Sequence, residues 1–293
     1  MKSGALVFLA AFIALSASWG GFVLAPQLQL GRAPQEKATG TDNLYPVARA
    51  GFAKQGAEVY RSLGCVYCHS QTVGQDKTIC EIILEDVGTN AGATLAALLR
   101  INAELAKPET LASLPMVVRV VADVPAAIPL MKSFTSIGGK VSARVVPQGP
   151  DVARAWGVRR SVAQDFAYDE PVQVGIRRYG PDLANVGMRL PDANWHLRHL
   201  YAPKSVVPDS TMPPYRSLFE RRRITREPSS DALQLPSEPE AGYEIMPTDA
   251  ARALAAYLVS LRSDAPLYEA PFTSPTPPAP ATNAPASTNS PAK

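Results

Sequence analysis

The chain has 293 residues, of which 46% are hydrophobic and 19% are charged, so it has room for a membrane anchor, one or two small domains and linkers. Its formal net charge of +3 is too small to indicate a protein that binds nucleic acid. Three cysteines are too few for a framework of disulfide bonds.

The N-terminal segment from Ala5 to Ala25 has no charged residue. As a helix it is long enough to cross about 30 Å of hydrocarbon. A cleaved signal peptide is the alternative, with a possible cleavage site at Ala14 to Ala17, but the apolar run continues past that site. We therefore predict a retained transmembrane anchor at 1–26, followed by a polar linker at 27–47.

The most specific motif in the chain is Cys65-Val66-Tyr67-Cys68-His69. The C-x-x-C-H pattern is typical of c-type haem attachment, in which two thiols bind the haem as thioethers and the next histidine binds the iron. A zinc site needs a second pair of ligands, and Cys80 is the only other cysteine. A redox disulfide does not need the adjacent histidine. We predict one covalent haem c held by Cys65, Cys68 and His69.

The segment at 76–147 has a different pattern and predicts an inserted α+β domain, here called the insert. Its order is β-α-α-β-α-β, and Cys80 in its first strand is expected to be a small buried hydrophobe. The predicted strands are Ile79 to Leu84, Met116 to Ala122 and Lys140 to Val146. The predicted helices are Ala91 to Leu105, Pro108 to Leu114 and Ile128 to Ile137, with Pro129 in the first turn of the last one.

The insert resembles the C-terminal domain of the bacterial ribosomal stalk protein. The resemblance rests on the element order and on two phrases, Glu85 to Gly88 and Ser136 to Val141. It implies a fold only, because Lys107 and Lys132 stand alone and the lysine-rich factor-binding helix of that family is not reproduced. A spacer without a ligand is the expected role.

After the insert, Gly180-Pro181-Asp182-Leu183 indicates a loop on the proximal side of a haem. In c-type cytochromes the proline carbonyl of such a loop accepts a hydrogen bond from the proximal histidine, which fixes the orientation of the ring. Pro181 and His69 are the predicted pair. A plain turn is the alternative for this tetrapeptide.

Met212 lies between prolines in a stiff loop and is the predicted sixth ligand of the iron. Met246 before Pro247 is the second candidate. His196 and His199 share a face of a helix predicted from Asp192 to Leu200 and could also bind metal, although a half-exposed position on the helix surface is the expected one.

Two apolar helices flank the haem segments. The first is predicted from Ala48 to Leu63 and runs into the motif, and the second is predicted from Ala250 to Arg262. We predict a discontinuous cytochrome c domain at 48–75 and 148–263, with a solvated basic run from Arg216 to Glu227. The tail at 264–293 is rich in proline and alanine and is expected to be disordered.

These motifs together resemble the mono-haem cytochrome c subunit (subunit II) of cbb(3)-type cytochrome c oxidases, over residues 1–76 and 148–263. The matching parts are the anchor, Gly64 to Gln71, Gly180 to Ala184, Trp195 with His199 and Leu200, and Ser205 to Tyr215. The resemblance implies a mainly α fold: a transmembrane helix and a class I cytochrome c domain, interrupted by the insert and followed by a disordered tail.

The resemblance also implies a role in the respiratory chain. The chain would carry electrons from another c-type cytochrome subunit or a soluble cytochrome c to the haem-copper catalytic subunit, with no catalysis of its own. It would sit in the bacterial inner membrane as a single-pass protein in contact with lipid, with its haem domain in the periplasm. Two alternatives remain open, namely the electron-transfer cytochrome of another membrane oxidoreductase and a haem-based sensor or binding module.

Overall fold

The computed structural model of the chain describes residues 3–30, 34–38, 42–235 and 241–265. The tail beyond residue 265 therefore lies outside the described residues. The helices are α1 (Ser3–Trp19), α2 (Ala25–Leu30), α3 (Gly51–Ser62), α4 (Ala91–Ile101), α5 (Pro108–Leu111), α6 (Val124–Ser136), α7 (Pro150–Ala153), α8 (Val186–Arg189), α9 (Ala193–Tyr201), α10 (Pro203–Val206) and α11 (Asp249–Ser260). The strands are β1 (Glu36–Lys37), β2 (Leu44–Tyr45), β3 (Lys77–Asp86), β4 (Met116–Val121), β5 (Lys140–Gln148), β6 (Phe219–Arg223) and β7 (Tyr243–Pro247).

The N-terminus forms one long apolar helix. A π-helical turn at Gly20–Leu24 joins α1 to α2, and the apolar stretch Gly4–Gln29 is 26 residues long with a mean hydropathy of 2.0. Large apolar side chains such as Phe8 and Phe22 are mostly exposed. Length, composition and exposed apolar surface all fit a helix that crosses a membrane.

A helical core surrounds the crossing of α3 and α11. Its buried members include Tyr60, Leu183, Val186, Leu197, Leu200, Leu254, Tyr257 and Leu258, together with Cys65 of the haem motif. The two helices approach closely because Gly56 has no side chain: a Cβ added there would lie 1.9 Å from the Ala253 carbonyl oxygen. The residues on both sides of the insert in sequence therefore share one core.

Gly56→Ala is expected to destabilise this crossing by about 3 kcal/mol, since the backbones must separate to admit the methyl group. Amide hydrogen exchange of α11 in the full chain should rise accordingly. Gly92→Ala is the matched control, because a Cβ on Gly92 in α4 meets nothing within 4 Å. It should leave exchange in α11 unchanged, and equal effects of the two substitutions would contradict the close crossing.

The insert forms a second core on an antiparallel sheet of order β4-β3-β5. Helices α4 and α6 pack on one face of the sheet, and the buried residues are Cys80, Ile82, Leu84, Leu98, Val118, Ala127 and Phe134. Cys80 is fully buried, as expected of a small hydrophobe. The observed order of elements agrees with the prediction, while the likeness to the ribosomal stalk domain stays a prediction.

All three helices of the insert differ from the predictions at their ends, and α5 ends at Leu111 instead of Leu114. Helix α6 begins at Val124, four residues earlier than predicted, because the Asp123 side chain accepts a hydrogen bond from the Ala126 amide at 2.9 Å and caps it. Pro129 therefore lies inside the helix, and its predicted place in the first turn is wrong. Helix α4 ends at Ile101, because Asn102 is extended and its side chain accepts a hydrogen bond from the Glu104 amide.

The insert leaves and rejoins the rest of the chain at one place. Strands β3 and β5 pair along their length, Lys77 lies opposite Gln148, and the Asp76 amide donates to the Gln148 carbonyl at 2.9 Å. Directly beside this junction, the Gly74 amide donates to Asp151 at 2.7 Å. The insert therefore occupies the position of a surface loop next to the haem motif.

Candidate functional site

The C-x-x-C-H motif forms a tight turn at the end of α3. Gly64 has a φ of +71°, which favours glycine, and it starts a 3₁₀ turn at Cys65–Tyr67. The His69 amide donates to the Cys65 carbonyl at 3.0 Å. Neither motif cysteine forms a disulfide bond within the part of the chain that the structure describes, and Cys65 is buried while Cys68 is exposed.

The predicted pair of His69 and Pro181 is brought together. The Nδ1 atom of His69 lies 2.8 Å from the Pro181 carbonyl oxygen, which accepts a hydrogen bond when that nitrogen carries the proton. Gly180 packs flat against the imidazole, since a Cβ there would lie 2.2 Å from His69 Cε1. Burial lowers the pKa of His69, so the ring is neutral, and neutral imidazole is the form that binds a metal.

A buried carboxylate next to Pro181 in sequence stabilises the segments that carry His69 and Pro181. Asp182 is fully buried and accepts hydrogen bonds from the Ser70 hydroxyl, from the Thr72 amide at 3.0 Å and from the Ala184 amide at 2.7 Å. Arg178 donates to Ser70 and to Asp151. Burial raises the pKa of Asp182, and these hydrogen bonds oppose the rise.

Sequence reasoning missed this network around Asp182. The only sign of the network in the sequence is that polar residues follow His69 and Pro181 directly. The motifs themselves give these polar residues no role. The network ties the segment after the motif to the proline loop, and the amide of Leu183 adds a hydrogen bond to the Ser70 carbonyl at 2.8 Å.

The loop that carries Met212 reaches the same region. Met212 is half-buried and packs against the helical core, and the Tyr215 amide donates to the Leu200 carbonyl at 2.8 Å. Burial raises the pKa of Tyr215, and Cys65 and Cys68 raise it further. Tyr215 packs against the core that contains Cys65. Met246 lies elsewhere, in β7 opposite Glu220.

The expectation of a half-exposed position on α9 is wrong for His196, whereas His199 is partly exposed as expected. His196 is buried, and its Nε2 lies 2.9 Å from the Leu190 carbonyl oxygen. His199 stacks on Trp195 with a centroid distance of 4.9 Å. Burial, with further contributions from His196 and His69, lowers the pKa of His199 to about 4. The helix turns this face inward because Leu197 and Leu200 must join the core.

The lowered pKa of His199 predicts acid sensitivity. The unfolded chain takes up a proton on His199 near pH 6.5, and the folded chain does so only near pH 4. The contribution of His199 to the free energy of unfolding is therefore fully present above about pH 6.5 and is lost as the pH falls from 6.5 to 4. The free energy of unfolding falls by about 3 kcal/mol at most through this residue. Urea titration of the full chain should show a shallower dependence on pH for His199→Gln, whereas Asn194→Gln on the same helix should keep the wild-type slope. An unchanged slope in His199→Gln would assign the acid sensitivity to another group.

These residues fit a haem. Two free thiols, a neutral imidazole and a thioether form a donor set of sulfur and nitrogen, which suits haem iron and its attachment. Buried polar atoms without a hydrogen-bond partner among the described residues include Tyr60 Oη, Arg189 Nε and His199 Nδ1. Such atoms are costly unless a bound group satisfies them.

Residues 143–261 match the family model of the cytochrome c oxidase mono-haem subunit, FixO. No curated protein matches the chain. The matched range includes Pro181, His199 and Met212, and it begins within β5 at the end of the insert. The match supports a haem cofactor and a role in electron transfer, and together with the apolar helix it fits a membrane-anchored protein. The resemblance to subunit II of cbb(3)-type oxidases is thus confirmed over residues 143–261, the range in which this chain is similar to the mono-haem subunit of cytochrome c oxidase.

Proposed function

We propose that the chain is the membrane-anchored c-type cytochrome of a cbb(3)-type terminal oxidase and passes electrons to its haem-copper catalytic subunit. The observation that carries the proposal is the contact between His69 and Pro181. It joins a haem-attachment motif that precedes the insert to a proline loop inside the range that matches the oxidase subunit. In this proposal the helical core is a class I cytochrome c domain.

The bound haem would supply the one-electron chemistry, and the chain would set its position and potential. Cys65 and Cys68 would hold the haem through thioether bonds. His69 would bind the iron through Nε2, while its protonated Nδ1 donates a hydrogen bond to the Pro181 carbonyl, which keeps the ring oriented. Met212 would supply a second protein ligand to the iron, and a thioether ligand favours ferrous iron and raises the reduction potential.

The apolar helix Gly4–Gln29 would anchor the chain in the bacterial inner membrane, with the haem domain in the periplasm. Electrons would arrive from another c-type cytochrome subunit or from a soluble cytochrome c. Within the assembly, the anchor would contact lipid and the haem domain would contact the catalytic subunit.

Affinity purification of the tagged chain from membranes in mild detergent tests this proposal. We expect a haem-stained band at the size of the chain, a co-purifying haem-copper subunit and oxygen consumption that depends on reduced cytochrome c. Recovery with a reductase or dehydrogenase instead would move the chain to another membrane oxidoreductase. Recovery alone, together with carbon monoxide binding to the ferrous form, would favour a haem-based sensor.

A further inference from the structure

Residues 34–38 and 42–47 of the segment predicted as a polar linker are folded against the haem domain. Residues 34–38 and 42–49, here called the strap, include the β1–β2 hairpin, in which Glu36 lies opposite Tyr45. The Gln35 side chain donates to the Pro46 carbonyl at 2.7 Å. Tyr45 and Ala38 are buried, and Pro46 is fully buried. A flexible connection would leave these side chains in water.

The strap is attached to the domain through a buried ion pair. The Arg159 side chain is fully buried and donates to both carboxylate oxygens of Asp165, at 2.7 and 3.0 Å. Asp165 also accepts a hydrogen bond from the Tyr45 hydroxyl at 2.9 Å. Burial and the Asp165 carboxylate raise the pKa of Tyr45, so the phenol keeps its proton and remains a donor. A hydrogen bond to a charged, desolvated acceptor is stronger than one between neutral groups.

A second attachment lies at the other end of the strap, directly before α3. Arg49 forms a largely buried ion pair with Asp169 and donates through Nε to the Ser260 hydroxyl at 3.0 Å. Its guanidinium lies 5.5 Å from the centroid of the Tyr257 ring in the helical core. Between the two attachments, a cavity of about 410 Å³ separates part of the strap from the domain. The polar contacts of Tyr45 and Arg49 therefore contribute much of the attachment of the strap to the domain.

The strap lies close to the membrane anchor in sequence. Helix α2 ends at Leu30 and the strap begins at Pro34, so four peptide steps of chain join them. Such a length spans at most about 14 Å even when fully extended. The first residue of the strap, Pro34, therefore lies within that distance of the end of the apolar helix.

We propose that the strap fixes the distance between the haem and the membrane, with Tyr45, Arg49 and Asp165 as positioning residues for electron transfer to the membrane-embedded partner. This inference rests on the proposed function, since it needs a partner in the membrane. A free linker of the length predicted for 27–47 would let the domain sample many distances, whereas the anchored strap leaves only the short connection after Leu30 to vary.

The test compares Tyr45→Phe combined with Arg49→Met against the wild type, in the purified full chain and in the assembled oxidase. Tyr45→Phe removes the hydroxyl but leaves the Arg159–Asp165 pair intact, so the domain should stay folded. We expect amide exchange in residues 36–45 to rise at least tenfold and electron transfer from the haem to the catalytic subunit to slow severalfold. The absorption spectrum and midpoint potential of the haem should not change. Tyr243→Phe, in β7, should change none of these quantities.

A second variant separates the length of the connection from the stability of the strap. Four glycine and serine residues inserted between Leu30 and Pro34 should slow electron transfer without changing exchange in the strap. Faster exchange with an unchanged transfer rate in the double variant, or no change in exchange, would overturn the inference. If the wild-type haem delivers no electrons to a haem-copper subunit, the proposed function itself fails, and that failure is visible without any variant.

Discussion

A chain in which Cys65 and Cys68 are both replaced by alanine should carry no haem after denaturation. The two thiols are the only groups placed to form thioether bonds in the C-x-x-C-H turn, and both are free. Without those bonds, any haem is held only by His69 and packing and leaves the unfolded chain. Haem staining on a denaturing gel, normalised to the amount of chain, should fall from full intensity to background.

Cys80→Ala is the matched control for this experiment. Cys80 is fully buried in the sheet core of the insert, so its loss should cost about 1 kcal/mol of stability and leave haem staining at the wild-type level. Haem staining that survives in the double variant would contradict covalent attachment at the motif. Loss of staining in Cys80→Ala would show that the stability of the insert, and not the thioether chemistry, controls haem retention.

Met212 is the proposed sixth ligand of the iron, so its replacement by alanine should remove that ligand. We expect the thioether features of the low-spin spectrum to disappear and the reduction potential to fall by a substantial part of the roughly 0.8 V over which axial ligands set haem potentials. Potentiometric titration monitored by absorbance measures both effects on one sample. Covalent haem should remain, since Cys65, Cys68 and His69 are unchanged.

Met246→Ala removes the same side chain from β7, where Met246 lies opposite Glu220, and should leave the spectrum and potential as in the wild type. A wild-type spectrum in Met212→Ala would show that another group is the sixth ligand, and a changed spectrum in Met246→Ala would identify that group. His199 is the next residue to test, because its ring lies near His69.

Local sequence signals predicted most of the regular structure. Helix α11 was predicted from Ala250 to Arg262 and extends from Asp249 to Ser260. The order of elements in the insert was also predicted, because its strands and helices each carry their own hydrophobic period. The strap was not predicted, since strands of two residues carry no period. Tyr45 is held by Asp165, which lies 120 positions away in sequence.

Some residues of the candidate site could likewise be predicted from the sequence, whereas others could not. The motif from Cys65 to His69 and the proline loop are short and specific, so sequence alone placed their residues and paired His69 with Pro181. The support from Asp182 and Arg178 and the burial of His196 depend on tertiary packing. A polar residue beside a motif has no distinctive local pattern, and a histidine on an amphipathic helix faces inward only when its neighbours do.

The pairing of β3 with β5 also affects how the haem domain can form. The parts of the helical core that precede and follow the insert are separated by about 70 residues, and closing a disordered loop of that length costs about 4 kcal/mol of chain entropy. The 2.9 Å hydrogen bond between Asp76 and Gln148 shows that the folded insert brings its own ends together. If the insert folds first, that entropy is already lost when α3 meets α11. The insert would then raise the folding rate of the helical core, and circular permutants opened within it should refold more slowly.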